Sequence, residues 1–378
     1  MRQFRDIHTT VTTHVRQMKL KVLDLSRVLA GPVCSMILGD LGADVIKVER
    51  PGEGDETRGW GPPFDSDGES AYFLAINRNK KSIAVDLADP HDRKVVLDLI
   101  HDADVVLDNF LPGSLGRLGF DPDELLVRYS SLIWCTISGF GAESTRPGYD
   151  FVVQAECGWM SITGERDGSP MKVGVALADV IAGKDAAIAI LAAVAERAGG
   201  PVTPDKRRIN VSLAESARAA LVNVAQNVLV SGEDAGRWGN AHPNLVPYQL
   251  FDAADRLFVI AVGSDGQWRA CANALGLQHL ADEESLQTNA GRVENREMIV
   301  AALAARVKEM GAQHWIDRLQ AVSVPCGLVK TVAEALDGSN ANARTGVPPS
   351  VPGSVRLSPP KLDEHGAAIR TLGWRAFG

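Results

Sequence analysis

The sequence predicts an α/β protein, with a Rossmann-like large domain and a second, smaller α/β domain. Three observations carry this. Over the first two hundred residues, short runs rich in β-branched residues alternate with helix-length segments, as βαβ units on a parallel sheet require. The chain has 378 residues, more than one hydrophobic core usually holds. A polar break, "GGPVTPDKRR" at 199–208, then separates this block from a second one where strand-like and helical runs resume.

The elements follow in order. "KVLDLS" (21–26), "DVIKVE" (44–49), "SIAVDL" (82–87), "DVVLDNF" (104–110) and "LIWCTISGFG" (132–141) read as strands. "PVCSMILGDLG" (32–42) and "DPHDRKVVLDLIHDA" (89–103) read as helices between them, and the small-residue stretch 180–198 as a long one. After the break, "INVSLAESARAALVNVAQNVLV" predicts a short strand and one long helix, and "RLFVIAVGS" (256–264) opens another α/β block. The Pro/Gly/Ser-rich "GSNANARTGVPPSVPGSVRLSPP" reads as an extended linker. Ligands on parallel sheets bind in the loops after the strands. That rule singles out "RVLAGP", "ERPGEGDETRGW", "NFLPG" and "SGFGAESTRPGYD".

Composition narrows the function. A formal net charge of −8 argues against a nucleic-acid partner. The longest apolar run, "AAIAILAAVA", is too short to cross a bilayer, so no membrane partner is expected. The five cysteines, Cys34, Cys135, Cys157, Cys271 and Cys326, are scattered without ligand spacing, which predicts a reduced, cytoplasmic chain with no metal site. The basic, Thr-rich first eighteen residues lack an apolar core and read as a flexible extension.

The segment 21–50 has the outline of a nucleotide-binding βαβ unit, but its turn, Ala30-Gly31-Pro32, lacks the three spaced glycines of a dinucleotide fingerprint. Pro32 suits the first turn of a helix. Arg50, Arg58, Arg117 and the "NRNKKS" stretch place cations on ligand-binding loops, which suits a phosphorylated ligand. Asp179, just before the small-residue helix, reads as an N-cap or as a reacting carboxylate held near the helix dipole. The residues alone leave both open. Tyr149, Asp150, Gln154 and Glu156 form no catalytic constellation by spacing.

Taken in series, "VLDLSRVLAGP", "LGDLGADVIKVERPGEGDETRGW", "YFLAINRNKKSIAVDL", "ADVVLDNFLPGSLGRLGF", "GYDFVVQAECGWMSITG", "GVALADVIAGKDAAIAILAAVAER" and "HPNLVPYQLFDAADRLFVIAVGSDGQW" resemble the family III CoA-transferases, from about residue 20 to 337. The resemblance implies a transfer of CoA from an acyl-CoA thioester to a free carboxylic acid through an aspartyl-CoA thioester on Asp179. It implies coenzyme A as substrate and carrier, with contacts from Leu29, Ala30, Arg50, Lys80, Asn109, Phe110 and Arg117. Backbone N–H groups at the start of the Asp179 helix are expected to receive the developing oxyanions. The resemblance also implies that Tyr149 falls in the substrate pocket, where α-methylacyl-CoA racemases of the same fold carry a histidine. An unperturbed tyrosine is a poor proton carrier at neutral pH, so transfer is preferred to racemisation.

The resemblance also implies an interlocked homodimer. It divides the chain into a large domain at 19–208, resumed at about 338–378, and a linker helix with a small domain at 209–337. Two departures stand out: the glycine-rich loop of formyl-CoA transferase is replaced by "GRWGNAHPNLVPY", and the carboxyl-terminal segment diverges. Beside the α-methylacyl-CoA racemase or epimerase alternative, these departures motivate a second one, a CoA-ester-binding homologue without catalysis.

Overall fold

The computed structural model describes residues 19–378, so the expected amino-terminal extension lies outside the described residues. The chain divides into two compact units. The first comprises residues 19–158, 173–223 and 338–378, and the second comprises 159–172 and 224–337. Residues 209–223, expected with the smaller domain, thus belong to the first unit, and 159–172 to the second.

The first unit is built on six parallel strands: β1 (Lys21–Asp24), β2 (Asp44–Glu49), β3 (Lys80–Ala84), β4 (Val105–Asp108), β5 (Ile133–Ser138) and β6 (Arg208–Ser212). Their order, β3-β2-β1-β4-β5-β6, is that of a doubly wound Rossmann sheet. Helices on both faces bury such a sheet, so its strands read as continuous apolar runs. β3 begins two residues earlier than its β-branched run suggests, because Lys80 and Lys81 pair with Val45 and Ile46 of β2. In this order the chain reverses direction at β1 and β4, which places the loops after those strands at the ligand-binding switch point.

Helix Leu177–Ala198 packs on helix Ala30–Asp40 along a stripe of small residues. Ala178, Ala182, Gly183, Ala186 and Ala187 are all buried. A Cβ on Gly183 would stand 2.5 Å from the Ala30 carbonyl oxygen and 3.2 Å from Val33 Cβ, so only glycine permits this approach. The long helix expected after β6 is instead two, Leu213–Ala219 and Val222–Ser231, broken where Val222 takes a φ of +41°.

The proline-rich segment expected as a linker is a strap on the first unit. Asn79 Oδ1 accepts from the backbone N–H groups of Arg356 (2.6 Å) and Leu357 (2.9 Å), and Arg78 donates to the carbonyls of Thr345 and Val347. Beyond it, Ile369 and Trp374 complete the core beneath β1, β2 and β4, and the Trp374 indole N–H donates to the Leu99 carbonyl.

The second unit carries a three-stranded antiparallel sheet: β7 (Tyr248–Asp252), β8 (Leu257–Ala261) and β9 (Cys326–Leu328), in that order. Helices bury Trp268 and Trp315 against it. Among the described residues, no helix is long and apolar enough to cross a membrane.

Candidate active site

Asp179 lies in the first turn of helix Leu177–Ala198, 9% exposed. It is not the N-cap. That position is Ala176, whose side chain cannot cap. The cap is supplied from across the fold by Asp150, at the start of helix Asp150–Glu156. One oxygen of Asp150 accepts from the N–H of Ala178 (2.8 Å) and more weakly from that of Asp179 (3.4 Å). Its other oxygen accepts from the Gln154 side-chain amide at 2.6 Å. The Gln154 carbonyl oxygen in turn accepts from the N–H of Val173 at 2.8 Å. Residues four apart lie on one helix face, so Asp150 and Gln154 grip both ends of the loop that delivers Asp179.

The remaining N–H groups of that turn are also engaged: Leu177 donates to the Val175 carbonyl and Val180 to that of Ala176. This corrects the expectation that the helix start would receive the developing oxyanions.

The Asp179 carboxyl is pushed up to about 7, first by burial and then by the neighbouring Asp150 charge. Tyr72 feels the same charges. Burial, then Asp179, Asp150 and Asp55, push its phenol up to about 12, so it stays protonated. Its ring packs edge-on against Trp60, with centroids 5.1 Å apart. Asp150 and Gln154 carry no assignment from the sequence, since each binds a partner distant along the chain, and no motif singles out Tyr72. Tyr149, 58% exposed, caps helix Asp150–Glu156 by backbone position only.

A cleft of 560 Å³ opens at the carboxyl ends of β1, β2, β3 and β4. Arg50 and Phe110 of the expected CoA contacts line it, with Arg27, Leu87 and Leu118. Arg50 approaches Glu56 at 3.5 Å, and Arg27 pairs with the same carboxylate. Both pairs are partly exposed, so a phosphate can compete for either arginine. Asn109 does not line the cleft. It fixes the cleft's edge: its oxygen accepts from the Arg27 N–H (3.0 Å), and its amide donates to the Arg27 carbonyl (2.8 Å). Arg117 is exposed and donates to Ser114 Oγ, one residue before the cleft-lining Leu118. Leu29 and Ala30 stand at the start of helix Ala30–Asp40, where Ala30 meets Gly183.

Lys80 is the clear departure. It is fully buried, and its ammonium donates to Asp24 (3.2 Å), the Pro32 carbonyl (3.0 Å) and Asn77 (2.9 Å). All three donors are engaged, so Lys80 is a structural cation and not a CoA contact. Burial, against the opposing pull of Asp24, lowers it to about 8. Arg58 is likewise internal, bound to Glu49 and Glu69. Lys47 and Asp55, a buried pair at 2.9 Å, underlie the cleft, and Asp55 accepts from the Val28 N–H at 3.3 Å. Among the described residues, no three His, Cys, Asp or Glu side chains gather to hold a metal ion.

The fold and the site together pair a buried carboxylate with a cleft at the switch point of a doubly wound α/β sheet. The family model described as CoA-transferase family III matches residues 18–365. The chain is 41% identical to the succinate–glutarate CoA-transferase of Agrobacterium fabrum, over 86% of this chain and 82% of that one. It is 37% identical to the acetyl-CoA:oxalate CoA-transferase of Acetobacter aceti, over 93% and 94%. A solved CaiB/BaiF family protein from Brucella suis superposes with a TM-score of 0.79 at 40% identity, covering 93% of this chain and 97% of that one. The chain belongs to CoA-transferase family III.

Proposed function

We propose that this enzyme moves CoA between short dicarboxylic acids through covalent catalysis by Asp179. One observation carries the mechanism: a carboxylate with no other assigned work is buried at a helix start, its backbone fixed by Asp150. The substrate class is supported by relatives named for glutarate, oxalate and mesaconate.

An Asp179 oxygen attacks the thioester carbonyl of the donor and forms a mixed anhydride as the C–S bond breaks and CoA thiolate leaves. The thiolate attacks the aspartyl carbonyl, giving an aspartyl-CoA thioester and releasing the donor acid as its carboxylate. The acceptor carboxylate attacks that thioester to form a second mixed anhydride and free thiolate. Thiolate attack on the acceptor's carbonyl then yields the new acyl-CoA and restores the Asp179 carboxylate. Each step exchanges bonds of similar energy, which is the advantage of splitting the transfer. A serine ester would be too stable to return its acyl group to a thiol with comparable ease.

CoA fits as a substrate whose nucleotide end lies in the cleft lined by Arg50 and Phe110, with its phosphates toward Arg27 and Arg50. Leu29, Ala30 and Asn109 would hold the edge of that path, Arg117 would attract its phosphates, and Tyr149 would border the acyl group. An interlocked homodimer belongs to the same proposal. It is supported by helix Val222–Ser231, where Val222, Leu229 and Val230 are 69%, 78% and 78% exposed.

Hydroxylamine trapping tests the reading, because it converts an activated aspartyl carbonyl into a hydroxamate. With succinyl-CoA or glutaryl-CoA, a hydroxamate is expected on the Asp179 peptide and is absent without the thioester. Turnover of these donors with no modification at Asp179 would overturn the mechanism.

A further inference from the structure

We propose that Asp150 and Gln154 form a positioning clasp for the nucleophile, holding the Asp179 turn in place and setting the charge beside it. This rests on the reading of Asp179 as the nucleophile and assigns a division of labour to two residues outside the chemistry.

The geometry is continuous. Asp150 and Gln154 are buried, 8% and 0% exposed. Every polar atom of the Gln154 amide and both oxygens of Asp150 are engaged on the Asp179 loop or on each other. The loop is held at Val173, at Val175 (amide to carbonyl, 3.5 Å) and at Ala178. Gly174 lies between these points, with nothing within 4 Å of its Cβ position. Hydrogen bonds from the clasp flank it on both sides.

A carboxylate is a costly choice for this task if capping were all it did. The Asp150 charge lies next to a second buried carboxylate, Asp179, and opposes its ionisation. An amide could accept the same N–H without repulsion. What the carboxylate adds is basicity at Asp179, which burial already raises. A nucleophile whose pKa lies near the working pH is substantially ionised yet more electron-rich than an ordinary carboxylate. The clasp therefore does two separable things, and two kinds of variant separate them.

D150A removes the cap and the charge together. D150N/Q154E exchanges the two functional groups. The amide at 150 can still accept from Ala178 and donate to the carboxylate at 154, which can still accept from Val173. The hydrogen bonds to Ala178 and Val173 survive, the long contact to the Val175 carbonyl is given up, and the negative charge moves four residues along the helix.

The experiment uses the full-length chain, with succinyl-CoA as donor, glutarate as acceptor, and hydroxylamine trapping at Asp179 followed from pH 5 to 9 under single-turnover conditions. D150A is expected to trap about 100-fold more slowly, the scale of loss for a small misplacement of a reacting group, with KM for succinyl-CoA changed less than kcat. D150N/Q154E is expected to recover most of that loss and to shift the midpoint of its pH profile downward. D150E, which keeps the charge, should leave the midpoint near the wild-type value even if its rate falls. Wild-type trapping at Asp179 combined with an unchanged D150A rate, or with an unmoved midpoint in the exchange variant, overturns the clasp and leaves the nucleophile assignment standing. Absence of wild-type trapping during turnover overturns the assignment itself, and the clasp with it.

Discussion

At the scale of single residues, the site is governed by where charge is buried. Asp179 and Lys80 are both charged groups removed from water, with opposite outcomes. Lys80 meets Asp24 and two carbonyl oxygens, and becomes part of the scaffold. Asp179 meets another carboxylate, and burial with that neighbouring charge pushes its carboxyl up to about 7. Asp179→Asn is therefore expected to abolish transfer, losing at least about 1,000-fold in kcat as removal of a covalent nucleophile does. The same change should stabilise the fold above neutral pH. A carboxyl whose folded pKa, about 7, exceeds its unfolded value of 3.8 favours the folded state below pH 4 and loses that advantage as pH rises through 7. The amide carries no such penalty, so urea denaturation at pH 8 should show a gain of about 1–3 kcal/mol. In the wild type, kcat/KM is expected to rise with pH through about 7 as the carboxyl ionises. Lys80→Met tests the opposite case. It should cost about 3–5 kcal/mol of stability by stranding Asp24, while the folded fraction retains its KM for acyl-CoA.

Among the elements, the strands were legible because burial on both faces demands β-branched residues, and β2 begins and ends where its run does. β3 was displaced because Lys80 and Lys81 look like loop residues until Asp24 and β2 pairing are known. The split after β6 was hidden because Val222, a β-branched residue at positive φ, carries no sequence signal of a break. At the site, Asp179 was legible as an acid at a helix start. Its cap was not, because Asp150 reaches Ala178 across 28 residues of sequence. The small-residue face of helix Leu177–Ala198 was visible, but its purpose needs helix Ala30–Asp40 beside it. Gly183→Val should force these helices apart. It is expected to lower stability by about 1–3 kcal/mol in thermal denaturation. It should also reduce kcat in the protein that still folds, because both the Leu29–Ala30 turn and Asp179 ride on that contact.

On the scale of the whole molecule, the carboxyl-terminal segment is a working part of the first unit. It fills the core with Ile369 and Trp374 and ties down Asn79 and Arg78. A chain ending at residue 337 is expected to lose cooperative unfolding by circular dichroism, where a dispensable tail would leave it intact. The organisation of the first unit brings a carboxylate on one helix and a cation-edged cleft at the switch point into a single fold, and the proposed mechanism attaches CoA covalently to that carboxylate. Intact-protein mass spectrometry after rapid mixing with succinyl-CoA measures this most directly. An adduct heavier by CoA less one water is expected, mapped to Asp179, lost in Asp179→Asn and discharged by added glutarate. Turnover without such an adduct, or an adduct on any other residue, would contradict it.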